Sequence, residues 1–281
     1  MNRRTCRTAL MLGTLAFSAG VPCRQAAAQS TVAQPAKGPA TGVLPDVAGF
    51  RPGLSVEEAT AQLKAYNRIA RVATAEMINP DLGAEPFPYL LVLGDNGEFS
   101  ADLIDMAVTS PPDKQVVWRV TRQILFPEGQ QPLITDLLAA LRKKYGPESY
   151  GTQGVPPMLS WYFVEAGTRA KDTSGTTFMN CGRSMPRVNP GPLQGSTPPA
   201  QGTPPDPLNA ANEQCRNMVV VSALIQPATN RLLARILTVA VSDYPLAARE
   251  YKATTDLLSK AAAARSQKEL ETASPPTKPK L

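Results

Sequence analysis

The sequence predicts an α+β fold built from two α-βββ units, with antiparallel meanders, helices packed on the sheet faces and an additional C-terminal helix. Two observations carry this prediction. Two amphipathic helix patterns are each followed by three strand patterns, and the two helices end alike, in Leu63 to Asn67 (LKAYN) and Leu141 to Gly146 (LRKKYG). A repeated order of elements is typical of an internal duplication.

The first helix pattern begins at a capping box, because Ser55 is followed three residues later by Glu58. Apolar side chains then recur at helical spacing, at Val56, Ala59, Leu63 and Tyr66. The helix is expected to end near Asn67. The next residues, 68–86, could extend the helix or follow it, and Pro80 stops it at the latest.

Three strands are predicted after this helix, over residues 88–94, 99–108 and 116–126. The turn sequence Asp95-Asn96-Gly97 separates the first two strands. In the third strand, apolar and polar residues alternate, which predicts that Val116, Trp118 and Val120 point inward, together with Ile124 and Phe126.

The second unit repeats this order. Its helix runs from Pro132 to the stop at Gly146, and its strands are expected over residues 159–164, 218–225 and 232–241. A third helix is predicted over residues 246–264. The expected unit boundaries are therefore 47–130 and 131–265, and a polar, proline-rich tail at 266–281 is expected to be disordered.

The N-terminus has the features of an export signal. Arg3, Arg4 and Arg7 precede an apolar run at residues 9–21, and three alanines at 26–28 offer a cleavage site. Residues 1–28 are therefore predicted to be a signal peptide, and residues 29–46 a flexible linker. The expected location is periplasmic or secreted.

Signal removal changes the charge of the chain. Residues 1–28 hold four arginines and no acid, so the formal net charge falls from +6 to +2. This near-neutral balance argues against a nucleic-acid partner. Outside the signal, no apolar run reaches 18 residues, so no transmembrane segment is expected.

Two cysteines remain after the signal, Cys181 and Cys215, and in an exported chain such a pair predicts a disulfide. They lie near the ends of a long loop, predicted over residues 166–216. The loop is either a partner-binding segment or a tolerated surface insertion, and the second interpretation is favoured.

The chemistry available to the chain is limited because it has no histidine. This absence excludes histidine-based nucleophilic sites and histidine-ligated zinc or haem. We therefore predict no catalytic residue, no metal site and no cofactor. A carboxylate pair such as Asp102 and Asp105 stays open as an active site, although solvated acids are the favoured interpretation.

Three residues are candidates for partner contact. Trp118 and Trp161 occupy the inward phase of their strands, whereas Tyr162 points the other way and is the better surface candidate. Lys143 and Lys144 could meet an anionic partner, although cations at a helix end are routine.

Residues 49–59 (GFRPGLSVEEA) carry a resemblance to known proteins. They resemble the opening common in exported proteobacterial proteins, and in particular the start of small outer-membrane-assembly lipoproteins of the SmpA/OmlA type. Residues 143–147 (KKYGP) are similar to a helix end in that family. The resemblance implies helices packed on a three-stranded meander, and tandem copies are similar to the β-lactamase-inhibitor-protein-like architecture. The chain departs from the family because it has no convincing lipobox and because it has a long Cys-bounded loop and a C-terminal helix.

Together these observations predict a non-enzymatic periplasmic protein that acts through protein–protein contacts with an unknown protein of the cell envelope. The alternative is a carboxylate-based hydrolase or a small-ligand binder that uses the sheet face around Tyr162. A buried pair of acids in a cleft would favour the enzyme, whereas a featureless sheet surface would favour the binding module.

Overall fold

The fold is described from a computed structural model. The structure describes residues 44–67, 71–83, 85–94, 102–152, 156–164, 168–169, 181, 200–204, 206–207 and 213–273. All of them belong to Pro35–Leu281, one of the two units into which the chain divides. The predicted signal peptide, most of the predicted linker and most of the loop at 166–216 lie outside the described residues, as does the turn at Asp95-Asn96-Gly97.

The described chain is a mixed α+β structure with three α-helices, which confirms the predicted fold class and the C-terminal helix. The helices are α1 (Val56–Tyr66), α2 (Ile134–Tyr145) and α3 (Tyr244–Ala273). The strands are β1 (Arg71–Ile78), β2 (Phe87–Gly94), β3 (Asp102–Val108), β4 (Val117–Leu125), β5 (Tyr150–Gly151), β6 (Met158–Val164), β7 (Thr168–Arg169), β8 (Ala200–Gln201), β9 (Val219–Pro227) and β10 (Ala234–Asp243).

All ten described strands belong to one sheet in the order β5-β6-β9-β10-β4-β3-β2-β1-β8, with β7 also paired to β6. Neighbouring strands are antiparallel except β1 and β8, which are parallel over Met77 and Ile78. The two halves of the chain meet where β10 pairs with β4 at the centre of the sheet. The strands of both halves therefore form one continuous sheet.

The first half has four strands rather than the predicted three. The additional strand, β1, occupies Arg71–Ile78, inside the range for which the sequence left open whether it extends the first helix or follows it. Val72 and Thr74 alternate with alanines there, and a β-branched residue at every second position suits a pleated strand better than a helix.

Helix α3 extends beyond its predicted range of 246–264 and continues to Ala273. Residues 266–273, which were predicted to be disordered, are therefore helical, and residues 274–281 lie outside the described part of the chain. Ser266 to Ala273 contains Lys268 and Glu269 with no proline or glycine, so nothing in it interrupts a helix.

The two faces of the sheet differ in character. One face, which we call the two-helix face, is apolar, and α1 and α2 both pack on it through Ala59, Leu63, Leu141 and Tyr145. A row of buried residues crosses it strand by strand, in the order Leu91, Met106, Val120, Val241, Val221 and Trp161. The other face, which we call the α3 face, carries α3 and the disulfide. Its central row is Asp105, Thr121, Ala240, Ser222 and Ser160.

Trp118 lies on the α3 face, opposite to Trp161, so the prediction that both tryptophans point inward together was wrong. The cause is a β-bulge in β4, where Val108 pairs with Val117 and the next pair is Ala107 with Arg119. The extra residue, Trp118, breaks the alternation, so that Val117 rather than its neighbour joins the core of the two-helix face.

Each helix start is held by the final strand of its own half in the same way. Ser55, the N-cap of α1, forms a β-bridge with Val116 immediately before β4, and Leu133, the N-cap of α2, forms one with Leu233 immediately before β10. The backbone hydrogen bonds show the same correspondence. The N–H of Val117 donates to the carbonyl of Leu54 at 2.8 Å, and the N–H of Ala234 donates to the carbonyl of Pro132 at 2.9 Å.

Candidate functional site: a buried charged cluster under the C-terminal helix

Helix α3 begins directly after the last strand and crosses the α3 face at one end of the sheet. Asp243 caps it, since its Oδ1 accepts a hydrogen bond from the N–H of Leu246 at 2.9 Å. Two turns later, the Thr254 hydroxyl donates to the carbonyl of Pro111, in the loop between β3 and β4, at 2.6 Å. Farther along, Arg265 is paired with Asp81, after β1. The helix therefore spans from the second half of the chain to the first.

The row of side chains beside this helix is small and polar where the two-helix face is large and apolar. All five members, Asp105, Thr121, Ala240, Ser222 and Ser160, are buried. A buried polar side chain requires a hydrogen-bond partner, since leaving it unpaired costs about 1–3 kcal/mol. The row is therefore the place where the described structure departs furthest from an ordinary sheet core.

Asp105 is the most unusual member of the row. Only 4% of its surface is exposed, and its Oδ1 atom has no hydrogen-bond partner in the described structure. Burial raises the pKa of Asp105 to about 6, although the charge of Arg119 acts in the opposite direction. The expectation that this acid is solvated was wrong.

Arg119 connects Asp105 to the helix. It lies on β4, diagonal to Asp105, which stands directly opposite Thr121. Its guanidinium carbon lies 4.9 Å from the centre of the Trp118 ring, and that ring lies 6.1 Å from the ring of Tyr244 in the first turn of α3. Burial lowers the pKa of Arg119, and its Nε has no hydrogen-bond partner in the described structure.

Further buried oxygens on this side of the molecule also have no hydrogen-bond partner among the described residues. They belong to Thr121, Ser160, Tyr162 and, on α3, Glu250. The other carboxylate oxygen of Glu250 is paired with Arg249 at 2.8 Å. Buried polar atoms without a partner in the described structure thus lie both on the sheet and on α3.

The disulfide lies on the α3 face, next to the first turn of α3. Cys181 and Cys215 are bonded, which confirms the predicted pair. Both sulfurs are buried in one cluster with Tyr162, Val220 and Tyr244. The disulfide therefore attaches the Cys-bounded segment to the same surface that α3 covers.

The three predicted partner-binding residues do not come together. Tyr162 does point away from Trp161, as expected, but it is fully buried beneath the disulfide and α3, so its surface position was wrong. Lys143 is exposed near the end of α2, and Lys144 beside it forms an ion pair with Asp46 at 2.9 Å. Whether these residues contact a partner stays a prediction.

Asp102, the other half of the suggested carboxylate pair, is on the opposite side of the sheet from Asp105. It binds Arg122 through two hydrogen bonds of 2.7 Å and accepts one from the Tyr66 hydroxyl at 2.8 Å. The two acids therefore do not form a catalytic dyad.

The sequence does contain a signal for the burial of Asp105. Asp105 stands between Ile104 and Met106 in a strand that is otherwise apolar, and an acid inside such a run has few ways to reach water. Arg119 gave no comparable signal, since its position on the α3 face follows from the bulge at Trp118.

The β1 end of the sheet is a second feature with functional potential. In the part of the chain that the structure describes, residues 71–76 have no strand on their outer side, because β8 reaches only Met77 and Ile78. At the other end of the sheet, β6 is covered by both β5 and β7. Unpaired strand edges are templates for the addition of another strand.

The described residues contain neither a metal-binding cluster nor a membrane-spanning helix. No cluster of three or more acidic, cysteine or histidine side chains there is arranged to hold a metal ion. Among the same residues, no helix has the length and apolarity needed to cross a membrane.

Comparison of the chain with protein-family models, with curated proteins and with solved structures finds no match.

Proposed function

We propose that the two halves of the chain are copies of one α-ββββ unit, which refines the predicted duplication by one strand. The bridges at the two helix starts support this, and so do the bulges. The bulge in β4 falls on Trp118, one residue after the strand begins, and β10 has a register shift at Arg235, also one residue after its start. Irregularities at the same position are not required by sheet geometry, so a common origin accounts for them.

The strand connections support the same proposal. The N–H of Thr109 donates to the carbonyl of Val116 ahead of β4, and the N–H of Ala228 donates to Leu233 ahead of β10, at 2.9 and 2.8 Å. In this correspondence β5 is a shortened copy of β1. Arg122 of β4 then pairs with its own counterpart, Val239 of β10, which places a two-fold axis through that pair, perpendicular to the sheet.

We infer that the protein is exported and acts at the cell envelope through protein–protein contacts rather than by catalysis. The predicted signal peptide and the Cys181–Cys215 disulfide support an oxidising compartment. The single observation that carries the function is the edge of β1, which is unpaired over residues 71–76 among the described residues. Its counterpart β5 is reduced to two residues, whereas β1 keeps its eight residues, of which Arg71, Thr74 and Glu76 are exposed.

The edge of β1 suits an added strand from another protein. Prolines and charged side chains usually protect a strand edge from pairing with another chain. Residues 72–75, between Arg71 and Glu76, contain no proline, no glycine and no charged side chain. In the sequence, β8 is preceded by Pro198 and Pro199, and neither has a backbone N–H that could donate to a neighbouring strand.

Site-specific photo-crosslinking tests this function. A photoreactive residue at Thr74, which is exposed on β1, should crosslink to one defined partner in living cells that export the protein. The matched control carries the same residue at Lys143, exposed on α2. We expect the partner band from position 74 only. Crosslinking to the same protein from both positions, or from neither, contradicts a contact at the β1 edge.

A small-ligand binder or carboxylate-based hydrolase is the second candidate, and the buried Asp105 favours it. A carboxyl whose pKa is raised to about 6 by burial is suited to general acid chemistry. Hydrolysis of a panel of glycosides and esters by the mature protein, lost in Asp105→Asn, would support this candidate. Equal rates for both proteins would refute it.

A further inference from the structure

The unpaired stretch of β1 is bounded at its C-terminal end. There β8 pairs with Met77 and Ile78, and the side-chain amide of Asn79 donates to the carbonyl of Gly202, just after β8, at 2.9 Å. In the part of the chain that the structure describes, the edge is therefore free over residues 71–76 and closed beyond them. A strand added from outside has room to pair with these residues only.

The two ends of this free stretch carry opposite charges. Arg71 and Glu76 are both exposed, and neither side chain forms an ion pair with another described residue. Side chains alternate between the two faces of a strand, so Arg71 and Glu76 lie on opposite faces of the sheet. Glu76 shares its face with Val72, which packs against the core of the two-helix face, and Arg71 therefore lies on the α3 face.

The α3 side of the edge carries small side chains. Ala73 and Ala75 are partly exposed there, and they stand opposite Val92 and Leu90 of β2. Directly opposite side chains on one face of a sheet are close enough to pack together. Large apolar side chains of an added strand, placed opposite the two alanines, would therefore have both room and an apolar contact.

A second copy of the chain does not match this pattern. In a closed dimer, two antiparallel β1 strands are related by a two-fold axis perpendicular to the shared sheet, so each face of the sheet stays on its own side. Arg71 of one copy and Glu76 of the other would then lie on opposite faces and could not pair. The charges therefore favour a different chain as the partner.

We propose that the β1 edge binds an extended segment of another protein, which runs antiparallel to β1. This segment carries a basic residue opposite Glu76, an acidic residue opposite Arg71 and large apolar residues opposite Ala73 and Ala75. The inference rests on the proposed function and specifies its partner. Antiparallel pairing is the arrangement of β1 with β2, and it is slightly more stable per residue than parallel pairing. In the partner sequence, the basic residue therefore precedes the acidic one.

Binding of two short peptides to the nitrogen-15-labelled mature protein tests this chemistry. The first is Lys-Leu-Thr-Ile-Thr-Asp and the second, with the charges exchanged, is Asp-Leu-Thr-Ile-Thr-Lys, both with blocked ends. Chemical-shift changes of the amides of residues 71–76 report binding at the edge. We expect the first peptide to bind about three- to tenfold more tightly, because two cross-strand charge pairs are attractive in one complex and repulsive in the other.

Exchange of the two charges on the protein provides the matched test. Arg71→Glu combined with Glu76→Arg should reverse the preference, and tighter binding of the second peptide would also show that this variant is folded. Lys143→Glu, which reverses an exposed charge on α2, should keep the wild-type preference. High salt should reduce the preference, since exposed charges are screened.

Three results would overturn the proposal. Equal binding of both peptides, or tighter binding of the second by the wild type, would contradict the charge pattern and leave strand addition at this edge intact. No shift at residues 71–76 with either peptide would contradict it as well, and crosslinking from Thr74 would then test the proposed function separately. Shifts of the same amides in the protein alone, growing with its concentration, would show a second copy at the edge.

Discussion

At the scale of single residues, the molecule contains two arrangements of an acid and an arginine, and they differ in their effect on stability. Asp102 and Arg122 satisfy each other through two hydrogen bonds at a partly exposed site on the two-helix face. On the other face Asp105 is buried and Arg119 is half-buried, and each keeps a polar atom without a partner in the described structure. Buried charges of the second kind lower stability, so their presence is better explained by a use than by folding.

Asp105 should make the protein less stable as the pH rises. Its pKa in the fold, about 6, is above the ordinary 3.8, so its contribution is fully present below pH 3.8 and is lost as the pH rises through 6. Asp105→Asn should therefore raise the free energy of unfolding at pH 7.5 by up to about 3 kcal/mol, and change it little near pH 4.

Urea unfolding of both proteins at the two pH values measures this difference. Asp256→Asn serves as the control, since that acid is exposed. An equal effect of Asp105→Asn at pH 4 and pH 7.5 would show that ionisation of this carboxyl does not set the difference.

At the scale of elements, α1 and α2, which correspond in the proposed duplication, begin with different chemistry. Ser55 forms a complete capping box with Glu58 at the start of α1, whereas Leu133 at the start of α2 has extended backbone angles and no side-chain hydrogen bond. Leu133 is 45% exposed, so its side chain contributes little to the core.

Exchanging these N-caps should have opposite effects. Ser55→Ala should destabilise the protein by about 1 kcal/mol, because a backbone N–H loses its partner. Leu133→Ser should stabilise it by about 0.5–1 kcal/mol, since the hydroxyl can accept the N–H of Asp136. Thermal unfolding measures both, and a loss of stability in Leu133→Ser would show that the two helix starts are not equivalent.

The disulfide should contribute strongly to stability. Cys181 and Cys215 are 34 residues apart, and closing a loop of that length in the unfolded chain is worth about 3–4 kcal/mol. The double variant with both cysteines replaced by alanine should lose about that much. Thiol titration of the denatured, unreduced mature protein should detect no free cysteine, and two free thiols would contradict the bond.

Prediction from the sequence succeeded for elements with regular patterns. The capping box at Ser55, the apolar stripe of α2 and the alternating strands were visible because helix and strand periods leave distinct patterns. Strand β1 was not assigned, since its alanines satisfy both patterns. The side of the sheet on which Trp118 and Arg119 lie depends on a bulge, which is set by pairing with β3 and leaves no local signal.

At the scale of the whole molecule, the central pairing of β4 with β10 determines the rest. It joins the two halves of the chain into one sheet, places α1 and α2 on the same face and leaves the other face to α3 and the disulfide. In the proposed duplication, β1 and the shorter β5 are equivalent strands. The sequence indicated two units but could not show this junction, because pairing between distant strands depends on tertiary packing.

Nuclear Overhauser contacts between amide protons of β4 and β10 test the central claim most directly. In the mature protein, labelled with nitrogen-15 and deuterated, we expect contacts between residues 119–125 and 236–242 in one antiparallel register, with Arg122 opposite Val239. Contacts confined to strands of the same half, with none between β4 and β10, would show two separate sheets and contradict the account.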